Sequence, residues 1–518
     1  MSDPTHTLFL AAQHARQGQS AEMLSMLAQA TQTNSSPDIL LQAAGLCIEY
    51  GFVTHARHYY EAVLQSEPES LAAWAGLARV ATDVGEHGQA SKIYQRLVAQ
   101  WPDSEVLRRN ALVAEQYNPD ASDYDRYQQA MAWGQWAIAR AGGHQPRPPV
   151  QPLIDRVPRV GVVSADLCQH TVGLFVKDIL RELGKTWPVV AYHARAHEDW
   201  VSKLIKTTCQ WRNVSAMDDA VLAKQIQDDE IDILIDLSGH TAGSRLTAFA
   251  LRPAPVMVSW LGYFATTGLE YIDAVLLDQW HVTSGTKQHF VEPIELLPSG
   301  RFYYGSVPWA PKEVSDLPFT QNGYITFGCF NNSAKLNPEV FEVWSKVLAM
   351  VPDARLVLKW RTFNDEALRE SIRAAFTTRG IDPSRLELRG AGFHVDVLKE
   401  YGDIDIALDP FPFTGGLTSC EALWMGVPVV TWPQTSVVSR QTRAFLTTMG
   451  LESLAASDAD DYVRIATELA SDTEALKSMR AGLRARMQGS SLMDLPRAVQ
   501  GLQETLLAVY ARVLETPG

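Results

Sequence analysis

"FPFTGGLTSCEALWMG", residues 411–426, follows the apolar run "IDIALD" (404–409) and precedes "VPVVTW" (427–432). A buried-type strand, two glycines, small hydroxyl residues, a Leu/Trp/Met helix and a second apolar strand form one unit of a parallel sheet covered on both faces. The loop admits two readings, a tight turn with a helix N-cap or a cradle for an anion such as phosphate. Gly415 and Gly416 permit positive φ and close backbone approach. Thr418 and Ser419 can cap the helix or bond an oxyanion. The helix start offers N–H groups and partial positive charge. Glu421, one turn in, is placed to accept hydrogen bonds from ribose hydroxyls.

The same alternation extends in both directions. "VPRVGVVS" (157–164), "TWPVVAYH" (186–193), "IDILIDLS" (231–238), "APVMVSWL" (254–261) and "YIDAVLLD" (271–278) read as strands with helices between them. The series restarts at "YITFGCF" (324–330) and runs on through "RLVLKW" (355–360), "RLELRG" (385–390) and the quoted stretch. This predicts two α/β lobes in series, with ligands at the C-terminal ends of the strands. From about residue 460 the pattern is helical.

Other post-strand loops carry candidate chemistry. "GCFNNSAKLNP" (328–338) presents Lys335 with Asn331 and Asn332, suited to a diphosphate leaving group or to a solvated surface. His170 and His240 each follow a strand, as site residues or as structural ones. Arg245 and Arg252 steer an acidic group or pair locally. "LGY" (261–263) ends a strand and can offer backbone N–H groups.

The first quarter repeats itself. Gly51 and Gly85, Ala56 and Ala90, Tyr60 and Tyr94, and Pro68 and Pro102 are each 34 residues apart. This resembles the tetratricopeptide repeat, a pair of antiparallel helices; Gly18 marks a worn first copy. The expected segments are repeats over 1–118, a helical linker over 119–152 ending in "HQPRPPVQP", a first lobe over 153–320 and a second over 321–518. The separate periodicity predicts that 1–118 can be removed without loss of donor chemistry.

Composition restricts the partners. The 518 residues carry a net charge of −14 and are 46% hydrophobic and 20% charged. No basic footprint for nucleic acid is present, and no apolar run of about 18 residues suggests a membrane span. The N-terminus lacks a signal-peptide pattern. Five scattered cysteines fit neither a disulfide framework nor a zinc site. A cytoplasmic protein is expected.

"ALRPAPVMVSWLGYFATTG" (250–268), "CFNNSAKLNPEVFEVWSKVL" (329–348) and "DIALDPFPFTGGLTSCEALWMGVPVVT" (405–431), in this order and after the repeats, resemble the nucleocytoplasmic O-linked N-acetylglucosamine transferase family in its bacterial branch. The resemblance implies a two-Rossmann-lobe, GT-B glycosyltransferase behind a tetratricopeptide superhelix. It implies inverting, metal-independent transfer of N-acetylglucosamine from UDP-GlcNAc to Ser/Thr of acceptor proteins, with UDP as product and no cofactor. By position, Lys335 binds the diphosphate with Asn332 beside it, Thr418 touches the phosphates and Glu421 the ribose. His170 lines the active site, Arg245 lies near the sugar, and Leu261 and Gly262 touch it. Asp199 matches an acidic residue once proposed as a base. The chain departs from the family in Gly416-Leu417-Thr418, where a His-Thr-Thr or Gly-Thr-Thr sequence is common, and so loses one hydroxyl donor. It also departs at Ala242, where animal enzymes have lysine, and at Val397, whose family histidine is displaced to His394. These departures leave the sugar open, with fucose or glucose donors, an Asn acceptor or a weakly active nucleotide-binding scaffold as alternatives. A homo-oligomer is compatible with the repeats.

Overall fold

The computed structural model of the protein describes residues 3–515. The chain divides into two compact units, Met1–Asp120 with Ser315–Phe413 and Asp458–Ser478, and Ala121–Val314 with Thr414–Ser457 and Met479–Gly518. This grouping differs from the four consecutive segments read from the sequence. The repeats share a unit with most of the second lobe's strands, and the C-terminal helix Leu495–Glu515 belongs with the first lobe.

In the second of these units lie β1 (Val160–Ser164), β2 (Val189–His193), β3 (Gln210–Asn213), β4 (Ile233–Asp236), β5 (Val256–Trp260), β6 (Ala274–Leu277) and β7 (Ile294–Leu296). They form a parallel sheet in the order β3-β2-β1-β4-β5-β6-β7. β1, β2, β4, β5 and β6 are buried along their length, as expected of strands covered on both faces. The order reverses between β1 and β4, so the loops leaving these two strands flank the switch-point crevice where doubly wound folds bind ligands. Ser164 Oγ and Ser238 Oγ, 3.0 Å apart, tie the two loop bases together. Leu495–Glu515 closes this lobe, with the Tyr510 hydroxyl donating to the Gln151 carbonyl at 2.7 Å.

The first unit begins with helix pairs Pro4–Arg16/Ser20–Thr33, Pro37–Tyr50/Val53–Ser66 and Leu71–Asp83/His87–Gln100, followed by Glu105–Glu115. Ala56 and Ala90, the small residues of the period, are fully buried and let paired helices approach. The same unit holds β8 (Thr326–Cys329), β9 (Arg355–Lys359), β10 (Leu386–Arg389) and β11 (Ile406–Leu408), all parallel, in the order β10-β9-β8-β11.

The repeats pack directly on the loops leaving β8 and β9. The Thr54 hydroxyl and amide donate to the buried Asp365 carboxylate at 2.6 and 2.8 Å. Asn364 Nδ2 donates to the Tyr50 carbonyl at 2.9 Å. Gly51 (φ 86°) and Gly85 (φ 83°) end successive repeat turns, and a Cβ on either would fall about 2 Å from a lobe carbonyl: 2.2 Å from that of Arg361 and 2.1 Å from that of Leu336. A residue with a side chain meets both strain and collision there. Among the described residues no helix is long and apolar enough to cross a membrane.

Candidate active site

In the first unit, Lys335 ends a 3-10 turn, Ser333–Lys335, that leaves β8. Its Nζ donates to Asn331 Oδ1 at 2.9 Å and lies 4.6 Å from the centroid of the Phe413 ring. Asn331 Nδ2 bonds the Cys329 sulfur at 3.6 Å. Burial lowers the Lys335 ammonium to about 8, against the opposing pull of Asp409. A partly desolvated cation at a strand's C-terminal end marks this loop as a candidate binding site. Asn332 caps the turn, its Oδ1 accepting from the Ala334 amide at 3.1 Å; its carbonyl oxygen thus shapes the lysine's turn. His394 opens the helix His394–Glu400, which follows β10.

In the second unit, His170 is the N-cap of the helix Thr171–Leu183, with Nδ1 accepting from the Val172 amide at 3.4 Å. The buried Asp166 carboxylate lies 3.6 Å from the same nitrogen and 3.2 Å from the Arg195 guanidinium. Burial pulls the His170 pKa down; Asp166 opposes this and Arg195 adds to it. The imidazole is therefore neutral near pH 7, the state in which a histidine can accept a proton.

Asp199 caps the helix Trp200–Ile205, accepting from the Val201 amide at 2.9 Å, while its other oxygen accepts from the Gln169 amide at 2.6 Å. Both oxygens are engaged by backbone N–H groups, and the carboxylate anchors the loop that carries His170. Arg245 pairs with Asp219 at 2.7 Å and donates to the Val214 and Met217 carbonyls at 3.2 and 2.9 Å. Of its two sequence readings, local pairing is the one found. His240 is likewise local: it is buried, bonded through Nε2 to the Thr267 carbonyl at 2.8 Å and flanked by Trp133 and Tyr263.

Leu261 has φ 63°, a left-handed conformation costly for a branched side chain. Gly262 follows, and a Cβ there would sit 1.7 Å from the Leu237 carbonyl oxygen. The buried Arg301 secures this bend by donating to the Leu261 carbonyl at 3.2 Å and to that of Tyr263.

The helix Leu417–Trp424 starts from Gly416 with no side-chain cap. Ser419 does not cap it, because its hydroxyl pairs with Thr442 at 2.8 Å. Gly416 takes φ −111° and ψ −97°, so the positive φ expected of it is absent; the ψ is what lies outside the comfortable range of other residues. Gly416, Leu417 and Thr418 are partly exposed, whereas Glu421 is buried.

Asp166, Arg195, Arg301 and Phe413 escaped the sequence reading. Asp166 alone had a signal, four residues before His170 in a post-strand turn. The others act through partners distant in sequence.

The profile of glycosyl transferase family 41 matches residues 150–307 and 314–502. The chain belongs to this family. A tetratricopeptide-repeat profile matches 53–115. Among its relatives, the probable UDP-N-acetylglucosamine–peptide N-acetylglucosaminyltransferase SPINDLY of Petunia hybrida is 34% identical over 423 residues, covering 79% of this chain and 45% of that one. The UDP-N-acetylglucosamine–peptide N-acetylglucosaminyltransferase of Caenorhabditis elegans is 24% identical over 474 residues, covering 68% and 41%. The chain thus spans less than half the length of these curated relatives. A solved mutant of Thermobaculum terrenum O-GlcNAc transferase superposes with TM-score 0.88 at 28% identity, covering 99% of both chains. Tetratricopeptide helices with two parallel-sheet lobes of the GT-B type are therefore the fold of this family 41 protein.

Proposed function

We propose that the chain is a cytoplasmic, inverting, metal-independent glycosyltransferase that moves N-acetylglucosamine from UDP-GlcNAc to serine and threonine hydroxyls of acceptor proteins. The observation that carries this reading is Lys335, a partly desolvated ammonium fixed by Asn331 and Phe413 where β8 ends. Family 41 membership and the activities for which its relatives are named support the donor and acceptor classes. The five cysteines, all unpaired and buried, fit a reducing compartment.

In the proposed reaction the acceptor oxygen bonds to the anomeric carbon as the bond to the diphosphate oxygen breaks. The electron pair leaves with UDP, and the Lys335 cation stabilises the charge that develops there. His170 takes the acceptor proton on Nδ1, the ring nitrogen that carries no hydrogen at rest, releasing its bond from the Val172 amide. Thr418 and Glu421 are assigned to phosphate and ribose by the family resemblance, and Leu261 and Gly262 to the sugar.

The test is calorimetric titration of UDP in EDTA, followed by mass spectrometry of an acceptor protein incubated with UDP-GlcNAc, UDP-glucose or GDP-fucose. Tight UDP binding in EDTA and a mass gain from UDP-GlcNAc alone are expected. Binding that needs magnesium overturns metal independence, and transfer from another donor overturns the sugar.

A further inference from the structure

The turn that carries Lys335 is built in part from the repeats. Ser333 Oγ donates to the carbonyl of Asp83, the last residue of a repeat helix, at 2.7 Å, and receives the Thr362 hydroxyl at 2.7 Å. Two residues on, the Gly85 turn presses on the Leu336 carbonyl. Beside this contact runs a column of rings. His87 stacks on Tyr117 with centroids 6.2 Å apart, and Tyr117 stacks on Phe413 at 4.4 Å and 24°. The far end of the column is the ammonium of Lys335, 4.6 Å from the Phe413 centroid. His87 and Tyr117 come from the repeat region, whereas Phe413 and Lys335 come from the lobe.

We propose that Tyr117 is a positioning residue for donor binding: by stacking on Phe413 it fixes the aromatic face on which the Lys335 ammonium rests. The inference depends on the reading that Lys335 binds the donor's diphosphate. A cation is attracted to a ring face only while it stays over that face, and an offset stack of two rings restrains the tilt of each. Asn331 restrains the lysine from one side; the Tyr117–Phe413 pair restrains it from another. Tyr117 touches no part of the donor in this scheme and acts through Phe413.

Four variants of the whole chain test this, with UDP and uridine titrated against each. Lys335→Ala sets the reference, a loss specific to UDP. Tyr117→Ala should weaken UDP by ~5–10-fold, the range of an ordinary cation–π contact and ring stack, and leave uridine unchanged. Tyr117→Phe, which keeps the ring, should bind both as the parent does. The Tyr117→Ala/Lys335→Ala double variant should lose no more UDP affinity than Lys335→Ala alone, because the tyrosine works only through the lysine. A folded Tyr117→Ala protein with parental UDP affinity overturns the inference, as do equal losses for UDP and uridine or additive losses in the double variant. If Lys335→Ala itself binds UDP normally, the donor-lysine reading fails first. Should Tyr117→Ala not fold, Phe413→Leu breaks the column from within the lobe, and the same UDP-specific, non-additive loss is required of it.

Discussion

Lys335 and His170 both follow a parallel strand, and both are basic groups in a loop. They are held in different ways. His170 is seated by near neighbours in its own lobe: Asp166 and Val172 within four residues, Arg195 one loop away and Asp199 through Gln169. Lys335 sits on Phe413, which stacks on Tyr117, and its turn is fastened to Asp83, 250 residues from Ser333. The histidine's seat is local, and the lysine's is assembled across the boundary that a reader of the sequence would cut. Sequence periodicity marks a repeat array but does not show what leans on it.

The largest expected effect breaks this contrast outright. Deleting residues 1–118 removes Thr54, Asp83, His87 and Tyr117 together, so the truncated chain should lose UDP binding, contrary to the expectation from periodicity alone. Thermal-shift titration of the purified fragment checks this, and a stable fragment that binds UDP like the full chain would show the repeats to be dispensable.

Next in size is His170→Ala, whose turnover should fall by ~10²–10⁴-fold, the usual range for a lost general base, with UDP affinity retained. A base must be unprotonated to work. Burial holds His170 below its ordinary value, so the parent's acid limb should lie below pH 6.5 and vanish in the variant. A surviving acid limb would make His170 a hydrogen-bond donor to the sugar rather than a base.

A smaller effect separates the two groups by pH. With Lys335 lowered to about 8 and facing Asp409 and Cys329, its charge is present below that pH and lost above it. UDP affinity should be flat below pH 8 and then weaken by up to about tenfold per unit. Calorimetry from pH 6.5 to 9.5 measures this, and a flat profile would remove the lysine charge from binding.

The smallest change is Thr54→Val, which takes one hydroxyl from the Asp365 carboxylate and leaves the backbone amide bonded to it. A stability loss of about 1–2 kcal/mol is expected, seen as a lower melting temperature with UDP affinity unchanged. A UDP-specific loss here would mean that the whole docking face, rather than the Tyr117 column, governs Lys335.

How legible each part was follows from burial and sequence distance. β1, β2, β4, β5 and β6 were readable because burial on both faces makes a strand continuously apolar. β3 ("QWRN") and β7 ("IEL") were not, because they are the edge strands of that sheet and only partly buried. The repeats were readable from a period of 34 residues. Within the site, Lys335 and His170 were legible as post-strand residues in suggestive company. For Arg245 the sequence offered two readings without choosing between them, since its pairing with Asp219, 26 residues away, is a tertiary outcome that no spacing announces. Tyr117 and Arg301 had no local signal at all: one is nearly 300 residues from the ring it meets, and the other supports a bend 40 residues away.

The two repeat turns at Gly51 and Gly85 act as a vernier. Each engages the loop of a neighbouring strand, Gly51 the loop after β9 and Gly85 the loop after β8, so the pitch of the array is matched to the lateral spacing of the sheet. Extra repeats added before Gly51 leave that match intact, and the array can lengthen outward freely. A repeat inserted between Gly51 and Gly85 throws the two scales out of phase, and one of the two turns must lose its carbonyl. Growth of such an array is therefore open at one end and locked at the other.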